Sequence, residues 1–375
     1  MADFAPGEFR ARLARAQAGM AVAGLDHLLL TTEAEFRYFS GFRTQFWQSP
    51  ARPWFLLVPK TGDPVAIIPA IGADLMAKTW ISDIRTWNSP DPADEGVSLL
   101  QDALAGASRI GLPMGAESSL RMPFADFERL RRVLNAEICD ATPLIRDLRM
   151  VKSDAEIAVL REICAIGSAA FDRAASLFHE GQPLNEAFRA FKIALLQAGA
   201  DDVPYLVGAA GRGGYGDVIS PPDATPLRTG DVLMLDTGAT RKGYFCDFDR
   251  NFAIGRADAA AAACHRALWA ATEAGLAAAR PGAHCAELYR AMAEQLPDAG
   301  SSVGRFGHGL GIQLTEWPSH SARDDTVLRP GMVITLEPSM AIAPGKMMVH
   351  EEDILITDGM PELLTTRAAA ELPVI

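Results

Sequence analysis

The chain has 375 residues, 49% of them hydrophobic, and a formal net charge of −12. That is enough apolar sequence for two domains with cores of their own. The acid excess argues against nucleic acid as a partner, because phosphate binding calls for a basic surface, while no apolar run approaches a bilayer span and the first twenty residues lack a signal-peptide core.

Phe9, Leu13, Ala16 and Met20 recur at helical spacing, which predicts an amphipathic helix over 7–23. Short apolar runs follow at His27–Leu30, Trp54–Val58, Pro64–Ile68 and Arg109–Leu112, bounded by Gly, Pro and Asp as buried strands are. Helical patterns separate some of them, so residues 1–148 are expected to form an α/β domain. Ser153-Asp-Ala-Glu156 is a capping box, with Ile157, Leu160 and Cys164 on one face after it. A long helix should therefore open a second domain, 153–375. Further helices are expected near Leu184–Ala198 and Asp258–Ala279, the latter stopped by Pro281-Gly282. Strands are expected at Asp231–Asp236, Tyr244–Ile254, Met332–Glu337 and Asp353–Thr357. There is no repeat of 20–50 residues. A two-halves pattern within the second domain, helix pair then hairpin, stays open. Cys139, Cys164, Cys246, Cys264 and Cys285 are odd in number and lack CxxC spacing, which suits reduced, packing cysteines of a cytoplasmic protein.

Asp236 and Asp247 carry the chemistry that stands out. They lie in two strand-like runs joined by a turn at Arg241-Lys242-Gly243. A two-residue Arg241-Lys242 turn would set them directly opposite each other, and a three-residue turn with Gly243 left-handed would shift the pairing. Like charges so placed repel, and a cation between them removes the conflict. His308, set among glycines in Gly307-His-Gly-Leu-Gly311, offers an imidazole. Glu337 closes an apolar strand, where an unpaired carboxylate is costly. Glu351 and Glu352 precede another strand, and only one of them can face a given side. Two Asp, one His and two Glu suit Mn²⁺, Fe²⁺, Co²⁺ or Zn²⁺ in a two-metal centre.

In order and spacing, LDTG at Asp236, CDFDR at Asp247, GHGLG at His308, LEPSM at Glu337 and EEDILITDG at Glu351 resemble the creatinase and aminopeptidase P family. These are the prolidase-like metalloenzymes of peptidase family M24. The resemblance implies a creatinase-type N-terminal α/β domain followed by a pseudo-symmetric pita-bread catalytic domain, α/β or α+β in class. It selects Glu351 over Glu352, six residues before Thr357. It implies two divalent metal ions, manganese foremost, held by Asp236, Asp247, His308, Glu337 and Glu351. Glu337 doubles as general base toward the bridging water. It also implies a homodimer acting on a short peptide or another small molecule.

The resemblance breaks in the substrate shell. Where the proline peptidases have two histidines, this chain has Ile219 and Thr315, and Val349 stands where aminopeptidase P has an arginine. Losing one such donor typically costs on the order of 10²–10³ in rate. The expected activity is therefore hydrolysis of a C–N bond in a small substrate other than an ordinary Xaa-Pro dipeptide. A metal-dependent lyase of the dimethylsulfoniopropionate type and a non-catalytic binding protein are the alternatives. Arg212, Tyr215, His320 and His350 are candidates for the rewritten shell, with Glu316 beside them. Asp249, on the strand face of Asp247, is expected to support the site or to pair with Arg250.

Overall fold

The computed structural model describes residues 3–49, 52–296 and 304–375. The chain divides into two compact units, the first ending at Arg149 and the second starting at Met150.

The first unit is built on a mixed six-stranded sheet. Its strands are β1 (His27–Leu30), β2 (Phe55–Pro59), β3 (Val65–Pro69), β4 (Asp83–Trp87), β5 (Arg109–Leu112) and β6 (Glu137–Asp140), in the order β4-β3-β2-β1-β5-β6. The central strands are the apolar runs of the sequence. The edges, β4 and β6, are half-exposed and carry charges, so their pattern is weak. Helix Pro6–Ala23 buries Phe9, Leu13, Ala16 and Met20, the residues its spacing selects.

The second unit repeats one plan twice. Helices Asp154–Phe171 and Leu184–Ala198 precede β7 (Asp202–Arg212), β8 (Asp231–Arg241), β9 (Tyr244–Phe245) and β10 (Phe248–Ala253). Helices Ala259–Ala278 and Cys285–Ala293 precede β11 (His308–Gly309), β12 (Glu316–Ser319), β13 (Val333–Leu336), β14 (Ser339–Ala343), β15 (Lys346–Val349), β16 (Glu352–Leu355) and β17 (Glu362–Leu363). The first half pairs β10-β8-β7, and the second pairs β12-β11-β13-β16-β17. The capping box forms as expected, with Glu156 N–H on Ser153 Oγ at 3.2 Å and Ser153 N–H on Glu156 Oε2 at 3.0 Å.

Backbone hydrogen bonds show how close the repeat is. Gly181 N–H to Leu227 O recurs as Gly282 to Leu328, and Leu184 to Thr225 recurs as Cys285 to Thr326. Asn185 to Asp223 recurs as Ala286 to Asp324. Every residue has moved on by 101. The same offset aligns DATPLRTGDVLMLD, from Asp223, with DDTVLRPGMVITLE, from Asp324, at seven identical positions. Asp236 and Glu337 end the two copies. The two-halves pattern is thus real, but its period lies far outside the short repeats of solenoid proteins.

The first hairpin corrects the pairing through Arg241-Lys242. Lys242 and Gly243 are the two turn residues, both left-handed, with φ of 47° and 69°. Such a turn matches strand twist, and it pairs Arg241 with Tyr244. The register continues to Asp249↔Asp236, so Asp236 faces Asp249. Asp247 falls between the two paired stretches, two residues before Asp249 and on the same face.

Candidate metal centre

Both halves of the second unit deliver acid to one place. Ligand atoms of Asp247, His308 and Glu351 all lie within 4.8 Å of one another, and the three residues are buried. His308 Nε2 is 3.4 Å from Asp247 Oδ2 and 3.9 Å from Glu337 Oε2. The His308 ring is held by Nδ1 against Gly309 O at 2.9 Å, leaving Nε2 toward the carboxylates. Asp236 joins from β8, with the Tyr205 hydroxyl donating to its Oδ2 at 3.2 Å. Glycine serves the approach at Gly307, where a Cβ would meet Thr335 O and His320.

The charges are not balanced within the cluster. Burial, then the Glu337 charge, pushes Asp236 up to about 7. Burial also raises Asp247, helped by Asp236, Asp353 and Glu337. Glu351 rises for the same reason, with Asp247, Glu337 and Asp236 adding to burial. Asp236 Oδ1, Asp249 Oδ1 and Glu351 Oε1 are buried atoms without a hydrogen-bond partner. Native proteins rarely leave such oxygens alone. Hard anionic oxygens around one imidazole are a donor set for divalent transition-metal ions, so the residues fit that group.

Glu352, next to Glu351, lives in the opposite environment. It accepts from Arg250 Nη2, Arg367 Nη1 and Ala368 N, each at 2.9 Å, and from the Thr365 hydroxyl. Burial pushes its pKa up, but Arg250, Ala368 N–H, Thr365 and Arg367 outweigh that and hold it below the usual value. Neighbouring strand residues face opposite sides, and here they divide an uncompensated carboxylate from a neutralised one.

Residues outside the expected set also belong here. Asp353 Oδ2 accepts from Asp247 N at 3.0 Å and from Cys164 Sγ at 3.3 Å, which positions Asp247. Burial raises Asp353 to about 8. Arg305 Nε lies 3.4 Å from Glu337 Oε1 and brings a cation to the cluster. Nothing in the sequence flags Arg305 except its place three residues before His308. Asp249 was signalled by the Asp-Phe-Asp spacing.

The residues expected in the substrate shell have differing surroundings. Tyr215 is buried in the core of its unit, its hydroxyl donating to Asn251 Oδ1 at 3.0 Å and accepting from Val349 N at 2.8 Å. His350 is buried too, with Nδ1 3.0 Å from the Thr272 hydroxyl and Nε2 3.4 Å from Arg367 Nη1. Both side chains, expected in the substrate shell, are thus hydrogen-bonded within the fold. Glu316 is likewise engaged, in a buried pair with Lys152 at 3.1 Å. Arg212 is exposed at the end of β7. Ile219 is 76% exposed, and Thr315 is half-buried just before β12. His320 is buried against Gly307, and neither ring nitrogen has a hydrogen-bond partner. Burial, with the charges of His308 and Arg305, pushes it down to about 3.

Residues 158–358 match the metallopeptidase family M24. The chain belongs to that family. Residues 12–151 match the creatinase/prolidase N-terminal domain. Among relatives, a probable dipeptidase PepE of Mycobacterium tuberculosis is 30% identical over 92% of this chain and 91% of its own length. A Xaa-Pro dipeptidase of Pyrococcus horikoshii is 27% identical, covering 91% of this chain and 93% of its own. The crystal structure of dipeptidase PepE from Mycobacterium ulcerans superposes with a TM-score of 0.86 at 26% identity, over 99% of both chains. The prolidase from Pyrococcus horikoshii gives 0.82 at 23% identity, over 96% of this chain and 99% of that one. This M24 protein is therefore a hydrolase with the creatinase-type first domain and the pita-bread second domain that the motifs suggested. No helix among the described residues is long and apolar enough to cross a membrane.

Proposed function

We propose that this M24 hydrolase cleaves a peptide or amide C–N bond in a small substrate other than an ordinary Xaa-Pro dipeptide. Asp236, Asp247, His308, Glu337 and Glu351 hold two divalent ions in this reading, with manganese the first choice. The carrying observation is the convergence of Asp247, His308, Glu337 and Glu351 from two halves of one unit, with the Asp236 charge acting on Asp247 and carboxylate oxygens left unpartnered. When bound, such ions would supply Lewis acidity and lower the pKa of water at the site. Glu337 takes the proton of the attacking water and passes it to the leaving nitrogen. Tyr205 keeps Asp236 oriented, and Asp353 does so for Asp247. Arg305, 3.4 Å from Glu337, suits an acidic group of the substrate.

The substrate restriction rests on Ile219 and Thr315. Ile219 has no polar side-chain atom, and Thr315 carries no charge, so neither replaces an imidazole. A dipeptidase-like reaction is also in keeping with the names of the PepE relatives. A cytoplasmic homodimer belongs to the same proposal. The test is a panel of dipeptides, Xaa-Pro dipeptides and N-acyl amino acids, assayed with and without added Mn²⁺. Manganese-dependent release of amine from a substrate lacking proline is expected. Faster turnover of Xaa-Pro dipeptides than of everything else would overturn the restriction, and no metal-dependent turnover would overturn the reaction.

A further inference from the structure

The internal repeat gives Asp249 a counterpart. In the first half Asp236 faces Asp249 across β8 and β10. In the second half β13 and β16 pair Leu336 with Glu352, and the bond from His350 N–H to Pro338 O carries the same register past the strand ends. Glu337 therefore faces Glu351. Asp236 corresponds to Glu337 in the repeat, so Asp249 corresponds to Glu351. The bonds that close the two ladders agree: Ile254 N–H to Asp231 O recurs as Ile356 to Met332. The second hairpin is longer by one residue, and that residue is absorbed before Glu351.

Asp249 is also built as a donor of one free oxygen. It is only 2% exposed. Its Oδ2 accepts from Asn251 Nδ2 at 2.7 Å, and Asn251 is fixed in turn by the Tyr215 hydroxyl and by Val349 O. Its Oδ1 has no hydrogen-bond partner, and neither has Oδ1 of Asp236, on the facing residue. Directly opposed side chains of a β-pair share one face of the sheet. The Arg250 guanidinium does not answer this charge, being spent on the carbonyls of Asp249, Glu351 and Thr366 and on Glu352.

We propose that Asp249 is a metal-ligating carboxylate, a sixth protein ligand on the Asp236 side of the centre. The assignment rests on the metal reading of the site given above. It also balances the cluster. Five carboxylates, those of Asp236, Asp247, Asp249, Glu337 and Glu351, meet two divalent cations and the single positive charge of Arg305.

The experiment uses the full chain, stripped with a chelator and titrated calorimetrically with Mn²⁺. Wild type is compared with Asp249→Asn, which keeps the shape, and Asp249→Thr, which removes the carboxylate and shortens the side chain's reach. Wild type should bind two ions. Both variants should bind one ion as wild type does and the second about tenfold or more weakly. Melting curves of the stripped proteins show whether each variant is folded, and Asp249→Asn should melt no lower than wild type. Two ions bound by both variants within twofold of wild type would overturn the assignment alone. Wild type that takes up no Mn²⁺ would overturn the assignment together with the metal reading beneath it.

Discussion

Raising the pH should weaken the metal-stripped protein. Asp353 shows why. Its carboxyl is raised by burial from an ordinary 3.8 to about 8, so the native state keeps this proton long after the unfolded chain has lost it. Between those values the native state binds more protons, and stability falls as pH rises through the window. Below pH 4 both states are protonated, and the contribution of Asp353 is fully present. Four units would amount to about 5–6 kcal/mol as a ceiling. Half of that, about 3 kcal/mol, lowers the melting temperature of a unit this size by roughly 6–12 °C. The assay is thermal unfolding of chelator-treated protein at pH 5 and pH 8. Asp353→Asn keeps an oxygen for Asp247 N–H but has no proton to lose, so its fall between the two pH values should be smaller by several degrees. A wild-type midpoint that stays level or rises with pH, or a variant with an unchanged fall, would refute the reasoning.

Glu352→Ala strands Arg250 and Arg367 without their shared carboxylate, and should cost about 3–5 kcal/mol in urea unfolding. Glu337→Gln should lower kcat by about 10²–10⁴ against the best substrate of the panel, with the folded state intact by circular dichroism. Arg305→Ala should raise KM for acidic substrates more than for neutral ones, as steady-state kinetics on a matched pair would show. Tyr215→Phe leaves Val349 N–H and Asn251 Oδ1 without a partner and should cost about 1–3 kcal/mol by the same unfolding assay, with KM unchanged.

Elements with strong periodicity could be read from the residues. The helix beginning at Pro6 and the capping box at Ser153 are cases where local chemistry and tertiary packing agree. β4 and β6 could not, because an edge strand with charged residues looks like a loop. The hairpin register failed at Lys242: a lysine at φ of 47° is a position where sequence patterns expect glycine or asparagine. The Asp247, His308 and Glu351 motifs were visible because their order along the chain is distinctive. The internal partners of Tyr215 and His350 were not legible, since a polar group near a motif says nothing of which way it faces. The repeat was present in the letters, Asp-x-Thr-x-Leu-Arg-x-Gly twice, but its copies lie too far apart to catch a search for short periods.

The division at Glu351 and Glu352 bears on the order of assembly. The Glu352 side is closed by two arginines and a backbone amide that are part of the chain itself. The frame can thus be completed during folding, before any cation arrives. Loading then becomes a late, local event on a finished scaffold. Calorimetry of Mn²⁺ uptake should accordingly show a heat-capacity change close to zero, unlike a zinc finger that folds around its ion.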